Sequence, residues 1–300
     1  MSWRKGIVVR FHSDMVTVQD LESNQKINCF LPGRFKLQKI RPIVGDYVEY
    51  SKDQHNTYGR IENILERKNE LYRPRVANLD QLVLVTSIKE PQVDLIVVDK
   101  IIVLAEKEKL DVVIVLNKTD LLGSDEEKRE MERFIEIYGK IYPVIPTSKL
   151  TKNNLDILKS YLKNKVSTFA GPSGVGKSSL LNVLDPKLKL REGEISKKLG
   201  RGKHTTTYAE LLYFDFGGYI VDTPGFSSLE LRGIKKDEVR RYFREFLEFD
   251  GFCQFSNCSH TVEPGCAIKE AVENGQISLS RYTNYCQIYE EIEDSSLKLQ

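Results

Sequence analysis

Residues Gly171-Pro172-Ser173-Gly174-Val175-Gly176-Lys177-Ser178 carry the spacing G-x-x-x-x-G-K-S, which suits a loop that wraps a phosphate chain. The glycines let successive backbone N–H groups turn inward toward phosphate oxygens. A helix starting at the lysine adds the positive end of its dipole. Lys177 would reach the β- and γ-phosphates, Ser178 would ligate Mg²⁺, and Ser179 joins them among the expected nucleotide contacts.

A second set precedes the first. Asn117-Lys118-Thr119-Asp120 follows the apolar run Val112–Leu116. Asp120 can accept two N–H bonds from the N1 and N2 edge of guanine. Adenine presents an acceptor and a C–H there, a mismatch that can discriminate by roughly 10,000- to 100,000-fold. Asn117 can bond the O6/N7 side of the purine, and the Lys118 stem can pack on the ring. Thr147-Ser148-Lys149 also ends an apolar run and would bring backbone N–H groups near O6, with Ser148 in the site.

Two further segments fit a nucleotide switch. Asp222-Thr223-Pro224-Gly225 follows Ile220-Val221. Asp222 would hold Mg²⁺ through water, and the Gly225 N–H would sense the γ-phosphate. Between this motif and the phosphate loop lies Gly200-Arg201-Gly202-Lys203-His204-Thr205-Thr206-Thr207. One threonine of the triplet should ligate Mg²⁺ in the triphosphate state, and Thr206 is the choice. Many GTPases place a water-orienting Gln just after the glycine of D-x-x-G. Here that residue is Phe226, which cannot orient water. His204 is the nearest candidate, because imidazole can orient water near neutral pH. The expected catalytic set is His204, Lys177 and Thr206.

A third constellation is metal-like. Cys253-x4-Cys258-x-His260-x5-Cys266 supplies three thiolates and one imidazole, which completes a tetrahedral structural zinc site with no open position. One zinc ion per chain is expected. Cys29 and Cys286 stand apart and read as ordinary thiols.

The elements that must position these residues follow from periodicity. Gly6–Phe11, Met15–Asp20, Gln25–Cys29, Asp46–Tyr50 and Gly59–Leu65 read as short strands, which fits a small barrel of OB-fold type at residues 1–65. Glu66–Asn78 is polar, contains Pro74, and reads as a linker. From Asp80 the rhythm becomes that of a parallel α/β sheet. Strands are expected at Leu82–Thr86, Val112–Leu116, Tyr142–Pro146 and Val166–Ala170. Helices are expected at Val93–Glu108, Asp125–Tyr138, Asn153–Lys163 and Lys177–Leu184. After Gly225 the rhythm ends. Asp237–Phe249 and Ser278–Leu297 read as helices on either side of the Cys/His cluster. The expected fold is multidomain α/β, with domains at 1–65, 66–230 (linker 66–78) and 231–300.

The chain has 300 residues, 40% of them apolar and 29% charged, with a net charge of +2. No apolar run approaches the ~20 residues of a membrane span, and the basic N-terminus lacks a signal-peptide core. A cytoplasmic location, reduced cysteines and a monomer are expected. Local charge is more telling. Lys187–Lys203 holds seven basic residues against two acidic, and residues 1–65 hold ten against seven. A basic switch flanked by a small barrel and a zinc module suggests RNA.

The motifs run NKTD, TSK, GPSGVGKS, Thr triplet, DTPG. A standard GTPase runs phosphate loop, Thr, D-x-x-G, NKxD, SAK, so the order here is a circular permutation. The stretches GPSGVGKSSLLN, GRGKHTTT and DTPGF, with C-x4-C-x-H-x5-C, resemble the ribosome small-subunit-dependent GTPase A family (RsgA, also called YjeQ or YloQ). The resemblance covers nearly the whole chain. It implies an N-terminal OB-fold, a permuted GTPase domain and a C-terminal zinc domain. It also implies hydrolysis of GTP to GDP, binding of the 30S ribosomal subunit and its 16S rRNA, action late in 30S maturation, and hydrolysis stimulated by the subunit. The family's proposed water-positioning histidine corresponds to His204. Gly174 stands where some related GTPases carry a potassium-binding Asn, so the resemblance implies nothing about potassium. Two other readings share the motifs: a GTP-controlled RNA-binding checkpoint whose hydrolysis only triggers release, and a permuted GTPase acting on another RNA.

Overall fold

The computed structural model describes residues 3–12, 15–38, 40–52, 57–72, 75–190, 209–221, 231 and 233–297. The first strands are β1 (Arg4–His12), β2 (Met15–Asp20), β3 (Lys26–Phe30), β4 (Tyr47–Ser51) and β5 (Gly59–Ile64). They close into a barrel in the order β1-β2-β3-β5-β4, as the OB-fold reading expects. Neighbours pair antiparallel except β3 and β5, which run parallel through Cys29–Gly59 and Phe30–Arg60. The two-residue period of a strand sends Val16 and Val18, Ile27 and Cys29, and Val48 and Tyr50 to the same side. These side chains are buried in one cluster with Val8, Phe35 and Ile61. Phe35 comes from a short helix, α1 (Gly33–Leu37), between β3 and β4.

The segment read as a linker contains two short paired strands. It holds the hairpin β6 (Glu70–Tyr72) and β7 (Arg75–Ala77). Several of its charges are paired. Arg67 grips the buried carboxylate of Asp46 with two bonds, Nε to Oδ1 at 2.6 Å and Nη2 to Oδ2 at 2.9 Å. Arg75 Nη2 reaches Glu70 at 2.7 Å. A fork-on-carboxylate pair fixes a polar segment that composition alone assigns to solvent.

The second sheet has six strands: β8 (Gln81–Thr86), β9 (Asp111–Leu116), β10 (Val144–Pro146), β11 (Val166–Ala170), β12 (Leu211–Tyr213) and β13 (Tyr219–Val221). Their order is β10-β9-β8-β11-β13-β12. β9 and β10 pair in parallel, as do β11 and β13, while β12 is antiparallel to β13. Every residue of β8 is buried, as a parallel strand covered on both faces requires. The helices are α2 (Leu95–Lys107), α3 (Asp125–Tyr138), α4 (Leu155–Leu162) and α5 (Lys177–Leu184). Asp94 caps α2 by accepting from Ile96 N at 3.1 Å. Ser124 and Glu127 form a capping box at α3, which satisfies orphan N–H groups.

By compactness the chain divides into two units, Met1–Leu82 with Asp156–Phe169 and Lys177–Gly225, and Val83–Leu155 with Ala170–Gly176 and Phe226–Gln300. The C-terminal residues of the second unit end in α6 (Ala267–Glu273) and α7 (Leu279–Leu297). The helix expected at Asp237–Phe249 is instead two 3₁₀ segments, Lys236–Tyr242 and Arg244–Phe246. Phe243 between them has extended backbone, φ −106° and ψ 94°. Its buried ring packs on Phe246 at 5.3 Å and Tyr285 at 5.4 Å. Aromatic packing therefore overrides helix propensity there. The core of this part also takes Val103 from α2, with Ile268, Ile288 and Ile292.

One ion pair is fully buried in the second unit. Arg281 of α7 and Asp99 of α2 are 1% and 0% exposed and meet at 2.5 Å. Arg281 Nε and Nη2 also bind Glu245, at 2.6 and 3.0 Å. Asn284 Nδ2 and Tyr138 Oη donate to Asp99 at 2.6 and 2.8 Å. The guanidinium lies over the Phe243 ring at 4.5 Å. Burial pushes the Asp99 carboxyl up, while Arg281, Asn284 and Tyr138 act against that shift. No sequence pattern pointed to this cluster.

Candidate functional site

The phosphate-loop residues follow β11. Gly171 has φ +134°, and a Cβ there would lie 1.9 Å from the Val85 carbonyl oxygen. Only glycine permits that approach of two backbones. Gly176 has φ +93°, and a Cβ there would meet the Asn117 amide at 2.7 Å. Val175 is buried and anchors the loop, while Ser173 and Gly174 are exposed and Pro172 is half-buried. Lys177 and Ser178 begin α5, are 8% and 7% exposed, and are followed by half-buried Ser179. Burial lowers the Lys177 ammonium to about 8. A polyphosphate at this helix start would favour the charged form.

The residues after β9 gather against this loop. Asn117 is buried, and its Nδ2 donates to the Val175 carbonyl at 2.8 Å. Its Oδ1 accepts from Thr147 Oγ1 at 3.2 Å. Asn117 thus ties the phosphate loop to both base-side segments, a tethering role that spacing alone did not reveal. One amide hydrogen of Asn117 is used on Val175, and the second is available in principle for a purine acceptor. Thr119 N and Oγ1 both donate to the Thr147 carbonyl at 3.1 Å. Ser148 is buried, donates to Asp120 Oδ1, and accepts from Leu150 N and Thr151 N at 3.1 Å. Asp120 is exposed, with its carboxylate aimed by Ser148 rather than free to rotate. Lys118 has left-handed backbone, φ +63°, and its Nζ donates to the Glu90 carbonyl at 2.5 Å. His204, Thr206, Asp222 and Gly225, with Phe226, lie outside the described residues.

The four metal-type residues converge. The ligand atoms of Cys253, Cys258, His260 and Cys266 all lie within 4.8 Å of one another. Cys253 Sγ and Cys266 Sγ are each 3.5 Å from His260 Nδ1 and 3.9 Å from each other. Tetrahedral zinc with bonds of ~2.3 Å to sulfur and ~2.0 Å to nitrogen places its ligands at about those separations. Tyr282 Oη donates to the His260 carbonyl at 2.8 Å and Tyr285 Oη to the Ser259 carbonyl at 2.6 Å, which fixes the loop on α7. Burial pushes the Cys258 thiol up to about 12, so a cation is what would make a thiolate stable there. The donor set and spacing fit zinc, and Nδ1 is the imidazole ligand atom the geometry offers.

A family model described as RsgA GTPase matches residues 64–232, and one described as RsgA N-terminal domain matches residues 5–61. This chain belongs to the RsgA GTPase family. A relative from Thermotoga maritima, described as small ribosomal subunit biogenesis GTPase RsgA, is 53% identical across 96% of this chain and 97% of its own. The crystal structure of YjeQ from Thermotoga maritima aligns with TM-score 0.86 and 48% identity over 97% of this chain and 99% of that one. The structure of YloQ, described as a circularly permuted GTPase, aligns with TM-score 0.83 and 33% identity over 98% and 96%. Membership in the RsgA family agrees with the rotated motif order, because the phosphate loop and the NKTD segment meet in space although their order in the chain is reversed.

Proposed function

We propose that this GTPase acts in biogenesis of the small ribosomal subunit, by a Mg²⁺-dependent hydrolysis that the subunit stimulates. The supporting observation is the Asn117–Val175 bond, which joins two motifs whose bonded residues lie 58 positions apart. In this reading Asp120, held by Ser148, reads the guanine edge, and Asn117, Lys118 and Thr119 complete the base side. Gly171, Pro172, Ser173, Gly174, Val175, Gly176, Lys177, Ser178 and Ser179 hold the phosphates. Ser178, Thr206 and Asp222 would hold Mg²⁺, which neutralises phosphate charge when bound. Lys177 stabilises the charge that develops on the transferred phosphate. Gly225 senses the γ-phosphate. His204 orients the attacking water. A structural zinc ion sits on Cys253, Cys258, His260 and Cys266.

In this reading the domains are residues 1–65, 66–230 and 231–300, and the protein is a cytoplasmic monomer that contacts 16S rRNA. No helix among the described residues is long and apolar enough to cross a membrane. The test measures GTP turnover with separated small and large subunits, together with co-sedimentation of the GTP-analogue form. Small subunits should accelerate turnover and carry the protein down. Co-sedimentation with large subunits alone would point to another RNA. Tight small-subunit binding without acceleration would make the protein a checkpoint whose hydrolysis only releases it.

A further inference from the structure

The connection from β8 to α2, residues 87–94, is folded back on itself beside the phosphate loop. Ser87 is 0% exposed, and its Oγ donates to the Pro91 carbonyl at 3.0 Å. Val93 N adds a longer rung to the Ile88 carbonyl at 3.4 Å. The resulting turn places Glu90 in left-handed backbone, φ +58°. In that pose its carbonyl accepts from Lys118 Nζ. Lys118 is itself left-handed, φ +63°. Two non-glycine residues in this sparsely populated region face each other at a binding site, and the surrounding bonds hold them there.

The rest of the turn touches the same neighbourhood. Pro91 Cδ lies 3.8 Å from where a Cβ on Gly174 would stand, and Lys118 Cε lies 3.8 Å from a Cβ position on Gly176. Lys89 Nζ pairs with Glu127 Oε1 at 2.8 Å, which moors the turn to the first residues of α3. The far end of the Lys118 side chain is therefore held by the Glu90 carbonyl and lies beside Gly176 of the phosphate loop.

We propose that Ser87 is a positioning residue for guanine-nucleotide binding: it closes the turn whose Glu90 carbonyl keeps Lys118 extended as a shelf for the purine. This rests on the reading of Asn117–Asp120 as the guanine reader. A lysine has much rotamer freedom to lose on ordering. Holding it in the bound pose beforehand removes that loss from the cost of binding. Ser87 itself touches no nucleotide and acts only through Glu90 and Lys118.

The experiment measures dissociation of a fluorescent GDP by stopped flow for the wild-type chain, Ser87→Ala, Lys118→Met and the double variant. Ser87→Ala should speed release about three- to tenfold, the worth of one hydrogen bond, and Lys118→Met by more. The double variant should release no faster than Lys118→Met, because the two changes break one chain of contacts. Release from Ser87→Ala at the wild-type rate overturns the proposal. So does a double variant in which the two effects multiply, since Ser87 would then be supporting the fold alone. Should Ser87→Ala fail to fold, Pro91→Gly keeps the acceptor carbonyl, frees the turn, and is expected to behave alike in both backgrounds. A wild-type chain that binds fluorescent GDP no better than fluorescent ADP overturns the guanine reading itself, an outcome separable from either result above.

Discussion

The side-chain amide of Asn117 bridges two segments, giving a hydrogen bond to the Val175 carbonyl and taking one from Thr147. Replacing it with alanine strands a buried carbonyl and a buried hydroxyl, each costing about 1–3 kcal/mol. Asn117→Ala should weaken GDP and GTP binding by roughly 30-fold or more and lower the melting midpoint even without nucleotide. Calorimetric titration and thermal unfolding check both effects. Unchanged stability with weakened binding would place Asn117 in contact with the base alone.

Lys177 gives the site a pH signature. Burial lowers its ammonium to about 8, below the usual lysine value, so the nucleotide-free protein begins to discharge this group above that pH. Bound phosphates favour the charged form. GDP affinity should therefore hold steady below pH 8 and fall as pH rises above it, by up to about tenfold per unit. The linked stability effect has the opposite sign. The cost of burying the charge is present at low pH and is relieved as pH climbs from about 8 toward the unfolded lysine value. Affinities at pH 7, 8 and 9, with Lys177→Gln as the flat control, test the first statement.

The Cys/His cluster predicts a metal-dependent fold in the C-terminal part. Three thiols and an imidazole whose ligand atoms all lie within 4.8 Å of one another form a donor set that a cation would hold together. Cys258→Ser, or a strong chelator, should remove one zinc per chain by mass spectrometry. It should also destabilise the 3₁₀ segments and α7 by an amount on the order of several kcal/mol. Cobalt substitution should give the thiolate charge-transfer absorption of a tetrahedral S₃N site. Normal helicity and unfolding after complete zinc loss would sink this prediction.

Arg281→Met removes the cation from an enclosed group that holds Asp99 and Glu245. Breaking a buried pair from one side costs about 3–5 kcal/mol. Burial already raises the Asp99 carboxyl, and loss of Arg281 raises it further. A carboxyl whose folded pKa lies above its unfolded value contributes stability that is present at low pH and lost as pH rises through the folded pKa. Urea unfolding of Arg281→Met should therefore show a higher midpoint at pH 5 than at pH 8. Adding Asp99→Asn should flatten that dependence.

Much of this protein was legible because its signals are local. A phosphate loop needs glycines at set intervals and a helix starting at Lys177, all within one short stretch. The barrel strands announced themselves by two-residue alternation, as in Val16 and Val18. The paired strands within 66–78 and the 3₁₀ segments in place of a helix at 237–249 were not visible in the sequence for one shared reason. Their conformations are set by distant partners, Asp46 for Arg67 and Tyr285 for Phe243, and neither partner is visible in a local window.

The sequence by itself determined the chemistry on offer: a phosphate loop, a guanine-type reader, a Cys/His quartet and their rotated order. Those depend on residue type and short spacing, which the chain carries in plain view. Only the tertiary structure decided that Asn117 is a tether, that Ser148 aims Asp120, that the Glu90 carbonyl takes the Lys118 ammonium, and that Arg281 is enclosed with Asp99. Each of these is a hydrogen bond or ion pair between residues far apart in the chain. Such bonds are selected by how strands and helices pack, because a buried polar group must find whatever partner the fold brings within reach.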